Sequence, residues 1–229
     1  MKHLSIIGKS LGIAALALGL AAIQAQSQSV VFNFSGGTPD GWANAGFSGT
    51  PVATVANISG QNYLAIPIGG YQVANVASDS SGVLSGFNAA MAAALNNPVG
   101  YNLTYSYYID TATFTTPGTY LQLASFVNAG SGFYGSTGTP SAYEPQFNGT
   151  QVASGSVFSG TVTIPFSAFG TDANAATETY FRLGLIINGD GTGVKVNYTD
   201  ISVSPVPEPA SLALIGLGMA GLVLIRRRK

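Results

Sequence analysis
The segment Tyr101–Asp110 reads YNLTYSYYID and sets Leu103, Tyr105, Tyr107 and Ile109 against Asn102, Thr104, Ser106 and Tyr108. Alternate residues of an extended chain point to opposite sides, so this period of two specifies a half-buried strand and does not fit one face of a helix. Residues 120–128 repeat the pattern, with Leu121, Leu123 and Val127 on one side. The same reading gives strands at 30–34, 52–58, 63–67, 72–77, 161–166, 181–187 and 194–203, separated by clusters of Gly, Pro, Asn and Ser. Short strands punctuated by turn residues predict an all-β fold, a single jelly-roll β-sandwich. One short connecting helix is expected at 86–96, where GFNAAMAAALN is rich in Ala and stops before Asn97 and Pro98.

The two ends of the chain have a different character. Residues 1–25 carry early cations at Lys2 and Lys9, an apolar core over 11–23 and a polar exit. That layout is a helical signal peptide, with a cut expected after Ala25. No Cys stands at its end, so a lipid anchor is not expected. At the other end Pro207, Glu208 and Pro209 precede an apolar run over 210–225, which stops at Arg226, Arg227, Arg228 and Lys229. Such a run reads as a C-terminal transmembrane helix whose cations stay on the cytoplasmic side. Its rise of about 24 Å falls short of a hydrocarbon core of about 30 Å, which suits a segment held briefly and then cut. An ordinary tail anchor is the other reading of the same pattern. The domain organisation expected is therefore 1–25, 26–205 and 206–229.

Pro-Glu-Pro, a Gly- and Leu-rich helix and an Arg cluster, in that order, resemble a PEP-CTERM sorting signal. This is the Gram-negative motif recognised by exosortase-type membrane proteases. The resemblance implies an exported protein and an inner-membrane intermediate held by the C-terminal helix. It also implies cleavage near Pro207, Glu208 and Pro209, and transfer of the upstream domain to the cell surface or extracellular matrix. The sorting system accompanies exopolysaccharide production, so exopolysaccharide becomes the expected partner.

Charge narrows the function of the central segment. Over 26–205 eight acidic residues stand against Arg182 and Lys195, a net charge of about −6, because six of the eight basic residues lie in the two terminal segments. A surface with so few cations does not suit nucleic acid or anionic lipid, which are gripped through Lys and Arg. Cysteine is absent, which removes disulfides and thiolate chemistry, and the one histidine, His3, leaves with the signal peptide. A Ser-His-Asp triad and an imidazole base are thereby excluded from the processed protein.

Two stretches carry a second resemblance. VFNFSGGTPDGWANAG at 31–46 is similar to the opening of galactose-binding-like jelly-roll carbohydrate-binding modules. GTVTIPFSAFGTD at 160–172, with TYFRLGLIINGDGTGVKVNYTDISVS at 179–204, resembles their closing strands. The resemblance implies a module that binds or organises exopolysaccharide without catalysis. Sugar rings stack on aromatic side chains beside amide and carboxylate groups. The expected contacts are Tyr108, on the polar side of its strand, and Phe133, Tyr134 and Tyr143, in a loop read over 128–151. Trp42 is expected beneath its turn. No cofactor is expected beyond a structural Ca²⁺, for which Asp40, Asp79, Asp110 and Asp200 are the candidate ligands if they meet at a rim. The Gly-Asp-Gly at 189–191 reads as a tight hairpin rather than a calcium loop. Two alternatives remain: a matrix protein that self-associates through its sheet edges, and a glycan-cleaving enzyme using Glu144 with Glu178 or Asp172.

Overall fold
Alternation alone does not say which strands meet; the apolar sides must find one another. The computed structural model describes residues 28–44, 53–130, 132–135, 142–169 and 177–206. Residues Ser29–Ser204 form one body, and the terminal stretches, with Pro207, Glu208, Pro209 and the Arg-Lys cluster, lie outside the described residues. Among the described residues no helix is long and apolar enough to cross a membrane.

The strands are β1 (Val30–Phe32), β2 (Ala43–Asn44), β3 (Thr54–Ile58), β4 (Gln61–Pro67), β5 (Gly70–Ala77), β6 (Tyr101–Asp110) and β7 (Tyr120–Ala129). They continue with β8 (Gly132–Gly135), β9 (Gln146–Asn148), β10 (Val157–Pro165), β11 (Phe181–Gly189) and β12 (Lys195–Pro205). One sheet runs β10-β6-β12-β4-β3 with β1 also on β12, and the second runs β2-β5-β11-β7-β8 with β9 also on β7. From β4 to β7, and again from β10 to β12, the chain changes sheet at every connection. This is the strand order of a jelly-roll β-sandwich, as the alternation led one to expect.

The inward side chains of both sheets form one apolar layer. Leu103, Tyr105 and Ile109 come from β6, Leu121, Leu123 and Val127 from β7, Leu183, Leu185 and Ile187 from β11, and Val196 and Tyr198 from β12. Helix α1 (Phe87–Asn96) leads from β5 towards β6 and buries Phe87, Ala90, Met91, Ala94 and Leu95. That spacing of three and four places one stripe of the helix on the core. Trp42 is buried beneath its turn, edge-on to Phe32 with ring centroids 5.6 Å apart, and Phe87 meets Phe32 at 6.1 Å. The turn needs Gly41: its φ is +89°, and a Cβ there would lie 2.9 Å from the backbone of Val83.

The stretch read as a loop over 128–151 is more ordered than expected. Its described parts extend β7 to Ala129, add β8 and β9 to the same sheet edge, and close with a one-turn helix α2 (Gly149–Val152). Asn148 and Gln151 form a reciprocal capping box at the start of that helix. Short strands broken by Gly and Ser carry too few alternations to be read from sequence.

Phe32 joins β1, the Trp42 turn and helix α1, so Phe32→Ala is expected to lower unfolding free energy by about 3–5 kcal/mol. Its neighbour Val31 is 47 % exposed, and Val31→Ala should change stability by less than about 1 kcal/mol. Urea denaturation of both variants checks the contrast.

Candidate functional site
The outward side of the first sheet combines rings and polar groups. On β6, Ser106 and Tyr108 face away from the core, opposite Thr161 and Ser159 of β10. Ser106 Oγ and Thr161 Oγ1 lie 3.1 Å apart. On β4 the outward phase falls on Tyr63, because Leu64 and Ile66 enter the core. Strands β4 and β6 flank β12, two strand spacings or about 9.5 Å apart. Yet the Tyr63 and Tyr108 rings approach to 6.2 Å between centroids at an interplanar angle of 42°, so they lean together above β12. The small side chain of Thr199 beneath leaves room for this, and Asn197 Nδ2 donates to the Tyr108 carbonyl at 3.1 Å.

The rim is set by a hairpin and a break in strand phase. Strands β3 and β4 are joined by Ser59 and Gly60, with φ of 52° and 88°. Two successive positive φ values make the primed turn that matches strand twist, and Asn57 Oδ1 accepts from Gly60 N at 3.2 Å. Gln61 follows, and its Nε2 donates to Thr199 Oγ1 at 3.2 Å. On β12 the core-facing residues are Val196 and Tyr198, then Ile201 and Val203, so the inward phase moves from even to odd across Thr199 and Asp200. Asp200 has φ +51°. One extra residue in αL is the geometry of a β-bulge, and it coincides with the change of β12's partner from β4 to β1. The result is an open groove of about 490 Å³, lined by Gln61, Tyr63, Ser106, Tyr108, Thr161 and Asp200 among others.

Of the aromatics expected to touch sugar, only Tyr108 lies in this groove. Phe133 is 64 % exposed and stacks on Phe126 at 5.3 Å, on the outer side of the second sheet. Tyr134, one residue on, packs towards the core, and Tyr143 is 50 % exposed in the turn before β9. Tyr63, Gln61 and Thr199 were not singled out from sequence. The phase of Leu64 and Ile66 pointed Tyr63 outward, but its meeting with Tyr108 depends on strand order.

The four aspartates do not gather: among the described residues no three His, Cys, Asp or Glu side chains come together to hold a metal. Asp40 accepts from Thr38 Oγ1 at 2.9 Å and Asp110 caps Ala112 N at 3.0 Å, while Asp200 alone faces the groove. Glu144, one of the carboxylates considered for catalysis, is 6 % exposed and accepts from Ser125 Oγ at 2.6 Å. Burial, reinforced by Glu144, pushes the phenols of Tyr105 and Tyr198 up. Asp172 lies outside the described residues.

The Gly-Asp-Gly turn has a structural task. Asp190 accepts from Thr119 N at 2.5 Å, Thr119 Oγ1 at 2.6 Å and Tyr120 N at 3.0 Å, which joins the turn before β12 to the start of β7. Thr115 and Thr192 reinforce that junction through Oγ1 atoms 2.8 Å apart.

The family description "PEP-CTERM protein-sorting motif" matches residues 205–229. The C-terminus is a PEP-CTERM sorting motif. A protein bearing the PEP-CTERM motif is exported and sorted to the cell surface. No curated protein matches the chain. Among solved structures, the chain is similar to a carbohydrate-binding module of Caldicellulosiruptor saccharolyticus in complex with mannohexaose, at 11 % identity and a TM-score of 0.46. That match covers 79 % of this chain and 98 % of the module. The N-terminal cellulose-binding domain of a Cellulomonas fimi β-1,4-glucanase matches at 11 % identity and TM-score 0.38, covering 79 % and 96 %. The cleaved adhesin domain K3 of Lys-gingipain from Porphyromonas gingivalis matches at 12 % and 0.39, covering 76 % and 98 %. The strand order by itself is that of a jelly-roll β-sandwich.

The Thr119 hydroxyl, followed by the backbone amides, holds the Asp190 carboxyl below the usual carboxylate range. A carboxyl with a depressed folded value contributes stability above its unfolded value, near 3.8, and loses it as pH falls through the folded value. Asp190→Asn is therefore expected to lower the melting temperature at neutral pH. The gap from the unsubstituted protein should narrow once pH drops below about 3.8, as followed by circular dichroism melts across pH.

Proposed function
We propose that this chain is a cell-surface or extracellular-matrix protein of a Gram-negative bacterium that binds exopolysaccharide without catalysis, on the outward side of the β10-β6-β12-β4-β3 sheet. In this reading an exosortase-type protease removes the C-terminal segment near Pro207, Glu208 and Pro209, and the sandwich is delivered outside. The observation that carries the glycan site is the Tyr63–Tyr108 pair, two half-exposed rings leaning over one strand beside Gln61, Ser106, Thr161 and Asp200. Ring faces match the weakly polar C–H faces of sugars, and the surrounding amide, hydroxyl and carboxylate groups match sugar hydroxyls. An open groove suits a polymer that enters and leaves at its ends.

A second reading, self-association as a matrix protein, is favoured by β10. It is an outer strand of its sheet, and Val157–Pro165 contains no charged residue to discourage pairing with another chain.

Calorimetric titration of the full-length chain, kept soluble in a polyoxyethylene detergent, against the producing organism's extracellular polysaccharide tests the first reading. Saturable binding is expected. Tyr63→Ala and Tyr108→Ala should each weaken it by roughly two- to tenfold, since one ring contact supplies about 0.5–1.5 kcal/mol. Tyr143→Ala should leave it unchanged. Absence of binding, together with concentration-dependent oligomers in sedimentation, would replace the glycan reading with self-association.

A further inference from the structure
Asp200 adopts a backbone conformation that costs a non-glycine residue free energy, and it is exposed in the middle of a strand whose neighbouring residues Val196 to Thr199 and Ile201 are buried. Such positions persist where the surrounding structure imposes them, and they concentrate at functional sites. Here the bulge turns the carboxylate out of the sheet and into the groove beside Tyr63 and Tyr108. Among the described residues its carboxylate has no hydrogen-bond or ion-pair partner, unlike Asp40, Asp110 and Asp190.

Among the described residues nothing in the groove balances that charge: those lining it include no Lys or Arg. Arg182 stands on the other sheet, with Nη2 donating to Tyr180 Oη at 2.5 Å. Lys195 is exposed at the far end of β12, five residues or roughly 16 Å along the strand. The central segment as a whole has eight acidic residues against two basic ones.

We infer that Asp200 sets which polysaccharides this face accepts: it takes hydrogen bonds from the hydroxyls of a neutral chain and turns away polymers of uronic acids. This rests on the reading of the face as a glycan site. A carboxylate accepts several hydrogen bonds at once and strengthens each, so adjacent sugar hydroxyls fit it well. A uronate brought within about 5 Å meets an uncompensated like charge, which lowers affinity roughly tenfold or more in a solvent-exposed groove.

The test sets galactomannan and xyloglucan, both neutral, against polygalacturonate, using the full-length chain in polyoxyethylene detergent. The unsubstituted protein should bind a neutral polymer and hold polygalacturonate at least about tenfold more weakly, and added salt should shrink that gap by screening. Asp200→Asn keeps the shape and tolerates a positive φ, so the melting temperature should hold. It should raise affinity for polygalacturonate and bring the two classes within about threefold. Asp200→Gly, which removes the side chain and relaxes the backbone, should also erase the preference. An unchanged neutral-to-acidic ratio in Asp200→Asn, with binding still weakened by Tyr63→Ala, would overturn the role of Asp200 and leave the glycan face standing. Equal binding of both classes by the unsubstituted protein would also overturn it. Binding of none of these polymers, and none of the producing organism's exopolysaccharide, would remove the face and the inference together.

Discussion

The apolar layer trapped between the two sheets holds everything else in place. With no cysteine to staple the body, its order depends on burying the inward residues of β4, β6, β10 and β12 against those of β5, β7 and β11. Each fully buried Leu, Ile, Val or Phe contributes about 1.5–3 kcal/mol, and that gain must outweigh the cost of ordering the chain. The outward sides are then free to carry chemistry, because folding does not require them to be apolar. Helix α1 and the Trp42 turn close the layer around Phe32, which explains an Ala-rich helix in a chain otherwise made of strands.

The same inward requirement shapes the groove. Strand β12 pairs with β4 along its first residues and with β1 along its last, and its apolar phase changes between them. Thr199 and Asp200 absorb that change. Had the strand continued in regular alternation, Ile201 and Val203 would have turned to solvent. The bulge keeps them buried and, as its consequence, lifts Asp200 into the opening beside Tyr63 and Tyr108. Local strain and an exposed carboxylate thus have a common origin in the core.

The strands with four or more alternations were legible: Tyr101–Asp110 has the predicted bounds, β7 ends one residue beyond 120–128, and β12 spans 195–205 against an expected 194–203, whereas β10 begins at Val157, four residues before the expected 161. Strands β8 and β9 escaped notice because three or four residues among Gly and Asn show no period, although neighbours in the second sheet order them. Tyr108 was identifiable from its phase alone. Its companion Tyr63 lies 45 positions away in sequence, across an intervening strand. Phe133 and Tyr134 are adjacent in sequence but part because successive strand residues point to opposite sides, and Tyr143 stands apart from both in the turn before β9. The aspartates part for another reason: Asp40 and Asp110 serve their own turns, as short acidic side chains commonly do.

By itself the sequence determined the class of fold, the sorting motif at the C-terminus and the chemistry that the central segment lacks, because alternation, linear motifs and composition are local or additive properties of the chain. Only the tertiary structure decided the order of strands, the meeting of Tyr63 with Tyr108 and the exposure of Asp200. Those depend on which apolar sides pair across the sandwich and where β12 changes partners, and such contacts between residues far apart in sequence leave no mark in any one segment.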